Sequence, residues 1–318
     1  MLSRRLLRVK VMQIVYSYQK NGDSNLQRAE KELLHSISKS SELYHLYLLL
    51  LLDIRLLEEK RIEQAKLKRI PSAEDLKPNV KFINNAVLNQ LGNNEMLLKY
   101  IRQTGISWVN FPELVKKIMN EIRQSALYIE YMAEEENDYE KDRKFIVKLI
   151  EKIIAPSEDL YHHFEEESIY WNDEAEFIVS MLIKTIKEFK FEIGEDQTLI
   201  PEYKDEEDRE FVKTLFRKVI LNSQDLNKII DENTKNWDLE RVAFIDIIIM
   251  QLALTEACEF SKIPLNVSLN EYIEIAKHYS TEKSSVFING ILDKAFGKLK
   301  KEKKIFKANG EGLSTISE

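Results

Sequence analysis

Along most of the chain, apolar residues recur at spacings of three and four rather than in alternation, the period of helices that each bury one face. The pattern predicts a first helix over residues 3–20, where Leu7, Val11, Ile14, Val15 and Tyr18 form one stripe and Asn21-Gly22-Asp23 supplies the stop. Two further helices are expected over 25–40 and 41–66. Residues 68–79, with Pro71 and Pro78, read as a loop or linker. Shorter helical pieces extend to about 137, and longer ones cover 140–154, 157–170 and 173–191. A second break spans 194–203 around Pro201, after which the pattern tightens into helices over 205–221, 223–232 and 238–260. No strand pairs joined by hairpin turns and no fixed-period repeat occur, so the predicted class is all-α.

The last part of the chain carries the most local information. Pro264 marks a loop, and Ser268 with Glu271 three residues on has the spacing of a capping box. Tyr272, Ile275, Ala276 and Tyr279 then repeat at helical spacing. Thr281 is the expected cap of a final helix that buries Ile288, Ile291, Leu292 and Ala295. Gly290 inside that helix costs about 1 kcal/mol relative to alanine, which suggests a second backbone packed closely against it. Asn289 beside it would then need a polar partner.

Composition narrows the class without naming a chemistry. At 44% hydrophobic over 318 residues the chain can fill a real core, which excludes global disorder. A single cysteine, Cys258, excludes disulfides and cysteine-based zinc sites within one chain. The longest apolar run, residues 46–57, is broken by Asp53 and Arg55; it is too short to span a bilayer and reads as a buried helix. No membrane association is expected. The N-terminal stretch has interspersed polar residues and no small-residue cleavage site, so no signal peptide is expected and the cytoplasm is the default location. The net charge of −7 hides an uneven distribution. Residues 1–20 hold Arg4, Arg5, Arg8, Lys10 and Lys20 with no acid, and residues 298–307 hold six lysines around Glu302. Basic ends on an acidic body favour a local, oriented contact with RNA over general adhesion.

One long pattern is more specific. The order Asn270-Glu271, Glu274, Ala276-Lys277, followed by Phe287-Ile288-Asn289-Gly290-Ile291-Leu292-Asp293-Lys294, resembles the NusB family of transcription antitermination factors. Residues 203–294 match the C-terminal half of that fold, with Asn236-Trp237-Asp238-Leu239-Glu240-Arg241 at the entry to its central helix. Residues 3–18, SRRLLRVKVMQIVYSY, match its Arg-rich first helix. Gln251 and Thr255 depart from the arginine and tyrosine that many members have, which bears on local packing. The resemblance implies a NusB-like helical bundle interrupted by an inserted helical region. The expected division is 1–60 as N-terminal NusB-like helices, 61–200 as insertion, 201–300 as C-terminal bundle and 301–318 as a basic flexible tail. It further implies a protein that catalyses nothing and needs no cofactor. Its implied partners are the ribosomal protein NusE, the boxA element of ribosomal RNA leader transcripts, and RNA polymerase held in a termination-resistant complex. NusB-like domains also precede RNA cytosine methyltransferases, but no glycine-rich cofactor loop accompanies this one.

Candidate binding residues follow. Arg4, Arg5 and Arg8 share a helix face, and guanidinium groups bind phosphate bidentately and stack on unpaired bases. At a helix start they oppose the dipole, so helix stability does not account for them. By spacing alone a solvated N-terminal turn is the alternative. The resemblance places Phe287 near bound RNA, where it could stack on a base; ordinary core is the other reading. It places Asp246 and Lys283 at polar contacts to RNA or a protein partner, although many members carry an acid at the position of Lys283. Two contrasting readings exist. Glu42-x-x-His45 and Asp159-x-x-His162 approximate the motifs of a helical di-iron oxidoreductase, but no inward pair of further glutamates accompanies them, so packed histidines and no metal are expected. A scaffold without an antitermination role is the other. No nucleophile–base–acid set and no phosphate-loop spacing is found.

Overall fold

The computed structural model describes residues 4–22, 25–136, 138–172, 174–234, 242–281 and 283–307. Ser3, the 236–241 motif and the tail beyond 307 lie outside the described residues. Those described form fifteen α-helices and no strand: α1 (Arg4–Lys20), α2 (Leu26–Lys66), α3 (Ala73–Leu76), α4 (Ala86–Gly92), α5 (Glu95–Thr104), α6 (Pro112–Gln124), α7 (Ala126–Ala133), α8 (Tyr139–Leu149), α9 (Glu158–Glu167), α10 (Ala175–Glu188), α11 (Glu206–Leu221), α12 (Ser223–Asn233), α13 (Phe244–Glu259), α14 (Leu265–Tyr279) and α15 (Ser284–Lys301). A π-helical turn, Ile150–Ile154, continues α8, and a 3₁₀ turn, Phe191–Ile193, follows α10. Contacts group the chain into two compact units, Met1–Ile37 with Glu202–Glu318, and Ser38–Pro201. The expected boundaries at 60/61 and 200/201 follow motif similarity, a different criterion.

The first unit is built around α13, whose sequence FIDIIIMQLALTEACE is apolar nearly all round, the mark of a helix covered on every side. Helices α1, α11, α12, α14 and α15 pack against it. Helix α1 stops where Gly22 adopts a left-handed φ of +63°, which costs a residue without a Cβ little. Asp205 caps α11 by accepting the Asp208 N–H at 3.0 Å. Gln251, one of the departures from the family pattern, is buried with partners: its amide accepts from Gln19 Nε2 at 3.0 Å and donates to Asn227 Oδ1 at 2.8 Å, tying α1 to α12. The other, Thr255, donates to the Gln251 carbonyl at 2.8 Å.

The second unit has its own core, with Phe82, Leu149, Ile150, Ile178 and Leu182 fully buried. Trp108 and Trp171 donate their indole N–H groups to the carbonyls of Leu46 and Lys39. Residues 46–57 are helical, as predicted, with Leu48, Leu50, Leu51 and Ile54 buried. Among the described residues, no helix is long and apolar enough to cross a membrane.

Four local expectations change. Helix α2 is continuous where two helices are expected, and the serines within it keep their hydroxyls satisfied: Ser36 donates to the Leu33 carbonyl at 2.8 Å and Ser40 to Glu174 at 2.5 Å. The loop after it contains the short helix α3, closed by a capping box between Ser72 and Asp75. The predicted box at Ser268 and Glu271 does not form; α14 begins at Leu265, directly after Pro264, so Ser268 already lies inside it. Gly290 and Asn289 are exposed, and a Cβ at Gly290 would meet nothing within 4 Å, so no second backbone among the described residues packs there.

Candidate nucleic-acid interface

The three N-terminal arginines each reach a carboxylate on a different helix. Arg4 Nε donates to Asp208 Oδ1 on α11 at 2.7 Å, with its guanidinium 5.5 Å from the Phe211 ring centre. Arg5 holds Glu271 on α14 bidentately, at 2.9 and 2.8 Å. Arg8 holds Glu256 on α13 bidentately, at 2.7 and 2.8 Å, and lies between the rings of Phe211 and Tyr272. Glu256 is fully buried, and Ser268 Oγ and Tyr272 Oη donate to it as well, at 2.8 and 3.0 Å. Each of its oxygens therefore accepts two hydrogen bonds, which is what makes a buried carboxylate tolerable.

Burial opposes the charge on Arg8, but the Glu256 hydrogen bonds and the neighbouring charges override it and raise the guanidinium above its ordinary value. Burial pushes the Tyr272 phenol well above its ordinary value, and the Glu256 charge adds to this. The hydrogen bond from Arg5 holds the Glu271 carboxyl below the usual range.

This geometry corrects the reading of the arginines as one solvent edge. Arg8 is only 2% exposed, and its guanidinium faces the interior. Arg4 and Arg5 keep exposed side-chain surface beside their pairs. The argument from the helix dipole also fails, because tertiary pairing with α11, α13 and α14 gives all three a stabilising role that helix propensity does not express.

Asp246, in the first turn of α13, is buried at 4% exposure and accepts from Ser280 Oγ at 2.5 Å. The Ser284 hydroxyl lies 3.0 Å from Ser280 Oγ and 2.8 Å from Thr281 Oγ1. A chain of hydroxyls thus fixes the turn between α14 and α15, and Asp246 faces that turn instead of solvent. Lys283 precedes α15 and is exposed; Val286 is 76% exposed and Phe287 half-buried one turn on. Thr281 makes its contact through the Ser284 hydroxyl, and among the described residues no side chain caps the α15 backbone.

Helix α13 therefore carries the two groups at different places, since Glu256 and Asp246 are separated by about 15 Å of helix rise. The arginine cluster and the α15 start do not form one constellation around it. Near the Asp246 end the structure adds Tyr16 and Phe244, which sequence reasoning missed, beside Lys20 of the basic N-terminal stretch. Tyr16 meets Phe244 edge-on, with ring centres 5.3 Å apart, and Lys20 Nζ lies 5.6 Å from the Phe244 ring centre. Tyr16 and Lys20 are four apart on α1, a spacing that shares a face; the signal was present, but only the fold supplies Phe244.

The histidine motifs do not converge. Glu42 pairs with Lys39 at 2.7 Å, while His45 donates Nδ1–H to the Ser41 carbonyl at 2.7 Å and stacks on Tyr100. Burial pushes the His45 imidazole down to about 4. Asp159 pairs with Lys117, and His162 is exposed beside Glu165. Among the described residues, no group of three or more His, Cys, Asp or Glu side chains is placed to hold a metal ion.

Comparison with known proteins bears on the same part of the chain. The model of the NusB family matches residues 175–296. The chain is 42% identical over 105 residues to the transcription antitermination protein NusB of Chloroherpeton thalassium, covering 33% of this chain and 49% of the relative. It is 38% identical over 94 residues to that of Salinibacter ruber, covering 30% and 59%, and 40% identical over 89 residues to that of Acetivibrio thermocellus, covering 28% and 61%. The matched stretches span about half to three-fifths of these relatives' lengths. No solved structure matches the chain.

Proposed function

We propose, from the match of the NusB family model to residues 175–296, that this chain is a non-enzymatic, RNA-binding transcription antitermination factor of the cytoplasm. It joins a NusE-type ribosomal protein on boxA-like single-stranded RNA, and the assembly holds RNA polymerase in a termination-resistant state. The observation that carries this reading is the match to relatives named transcription antitermination protein NusB.

The geometry supports a division of labour. Arg8 locks α1 onto α13 through Glu256, leaving Arg4 and Arg5 at the rim, where their remaining N–H groups can meet phosphate. Toward the other end of α13, Tyr16, Phe244 and Lys20 combine aromatic faces with a cation, the composition that single-stranded RNA recognition uses. Phe287 and Lys283 stand at the start of α15, whose N-terminal end favours an approaching anion. Asp246 acts through Ser280 by holding that start in place, rather than by touching RNA. Each surface binds modestly, and linking RNA and protein contacts raises the effective concentration of each for the other. Residues 61–174, which precede the matched stretch, act as an accessory helical element added to this platform.

Gel-shift titration with a boxA-like RNA, with and without the ribosomal protein, tests the proposal. Binding should be sequence-selective and tighten when the partner is added. Equal affinity for an unrelated single strand with no gain from the partner would reduce the chain to a general RNA-binding scaffold, and absence of binding would remove the RNA reading altogether.

A further inference from the structure

The second unit contains a cleft of ≈560 Å³ that the RNA reading does not use. Its volume lies within the range of about 300–1,000 Å³ typical of small-molecule sites. Four elements build it. Tyr47 comes from α2, Glu151 from the π-helical turn, Tyr161 from α9, and Glu176 and Val179 from α10. The π turn is itself a departure from regular geometry, with the Ala155 N–H bonded to the Ile150 carbonyl at 2.8 Å, and such turns gather at functional sites.

The chemistry of the lining is one-sided. Among the described residues it includes two carboxylates and two phenol rings, and no lysine or arginine. Glu151 is paired only across 3.3 Å to exposed Lys187, and Glu176 has no ion-pair or hydrogen-bond partner among the described residues. A second feature points inward independently of the acids. Tyr47 is 97% buried, its ring meets Phe164 edge-on, and its hydroxyl has no hydrogen-bond partner among the described residues although the residue lines the cleft. Burial raises that phenol above its ordinary value, so it stays protonated at neutral pH and offers both a donor and an acceptor.

We infer that this cleft binds a primary alkylammonium group, with Glu151 and Glu176 supplying counter-charge, the Tyr47 hydroxyl accepting an N–H, and the Tyr161 ring and Val179 flanking the attached methylenes. Carboxylate and aromatic face both favour a cation; the two acids stand exposed at the mouth of the cleft and the buried Tyr47 hydroxyl at its base. The ammonium could come from a free diamine or from a lysine side chain of a bound protein. The inference does not depend on the RNA reading.

Calorimetric titration of the full chain with putrescine, and separately with Nα-acetyl-lysine amide, tests it. Saturable binding is expected, weakened about threefold by Glu176→Gln and by Glu151→Gln, as loss of one exposed carboxylate contact implies. Tyr47→Phe, which keeps the ring and therefore the fold, should also weaken it, while Glu134→Gln at a distant acidic turn should leave it unchanged. Binding of putrescine alone assigns the site to free diamines, of the lysine mimic alone to a protein side chain, and of both to the headgroup itself. No saturable heat with either probe at millimolar concentration overturns the inference. So does a loss at Glu134→Gln equal to that at Glu176→Gln, which would mean diffuse attraction to an acidic surface.

Discussion

Replacing Arg8 by methionine separates a fold-holding arginine from a phosphate-binding one. In the native structure the guanidinium supplies one hydrogen bond to each Glu256 oxygen, at 2.7 and 2.8 Å, in a place where the carboxylate is fully buried. Methionine fills much of the same volume but leaves that carboxylate with only the Ser268 and Tyr272 hydroxyls and no counter-charge closer than its surroundings provide. Breaking a buried pair from one side costs about 3 to 5 kcal/mol, most of it the penalty for the stranded charge. A solvent-exposed phosphate-binding arginine would instead change stability by no more than about 0.5 kcal/mol when removed. Adding Glu256→Gln should recover part of the loss, because the amide keeps an acceptor and sheds the charge. The coupling in the double-mutant cycle should exceed about 1 kcal/mol. Urea denaturation followed by far-UV circular dichroism gives the stabilities, and RNA affinity is measured over a salt series under conditions where each variant is folded. A stability within about 0.5 kcal/mol of wild type, together with a salt slope flatter by about 0.7, would refute the reasoning and return Arg8 to the phosphate surface.

Other consequences are accessible to the same assays. Arg4→Ala and Arg5→Ala should each flatten the salt dependence of RNA binding by about 0.7 unit if each meets one phosphate; unchanged slopes would take the rim arginines out of the interface. Phe287→Ala should weaken RNA binding about tenfold with the salt slope intact, since stacking is worth about 1 to 3 kcal/mol per base; a large fall in melting temperature with affinity preserved in the folded fraction would place the ring in the core. Joining Ile37 to Glu202 through a short linker should leave a helical protein that still binds RNA, because each unit has its own buried core; failure to fold with several linkers would make residues 38–201 integral. His45 is pushed down to about 4 by burial, so between pH 6.5 and 4 the unfolded chain binds the extra proton. Its contribution to stability is full above about 6.5, and about 2 kcal/mol of it should be gone at pH 5. His45→Phe should flatten that part of the stability–pH curve, and a curve parallel to wild type would show that the imidazole is not sequestered.

The helical class, the positions of most helices and the resemblance to the NusB family were all legible in the sequence. Three- and four-residue spacing is a local signal, and the run from Asn270 to Lys294 carries enough mixed residue types to be read without a structure. Punctuation was less legible where polar residues have two uses. The expected division between residues 40 and 41 does not occur, and inside α2 Ser36 bonds to a carbonyl and Ser40 to Glu174. Ser268 and Glu271 have capping-box spacing, yet the fold turns one to Glu256 and the other to Arg5. The role of the arginines was hidden for the same reason. A cluster of three guanidiniums on one helix face reads as a phosphate surface because the carboxylates that claim them, Asp208, Glu256 and Glu271, lie more than two hundred residues away. Only tertiary packing decides whether such a charge meets solvent or an internal partner, and it decides differently for Arg8 than for Arg4 and Arg5. The same holds for Phe244 beside Tyr16 and for the cleft under Tyr47, where residues remote in the chain become neighbours only when helices pack.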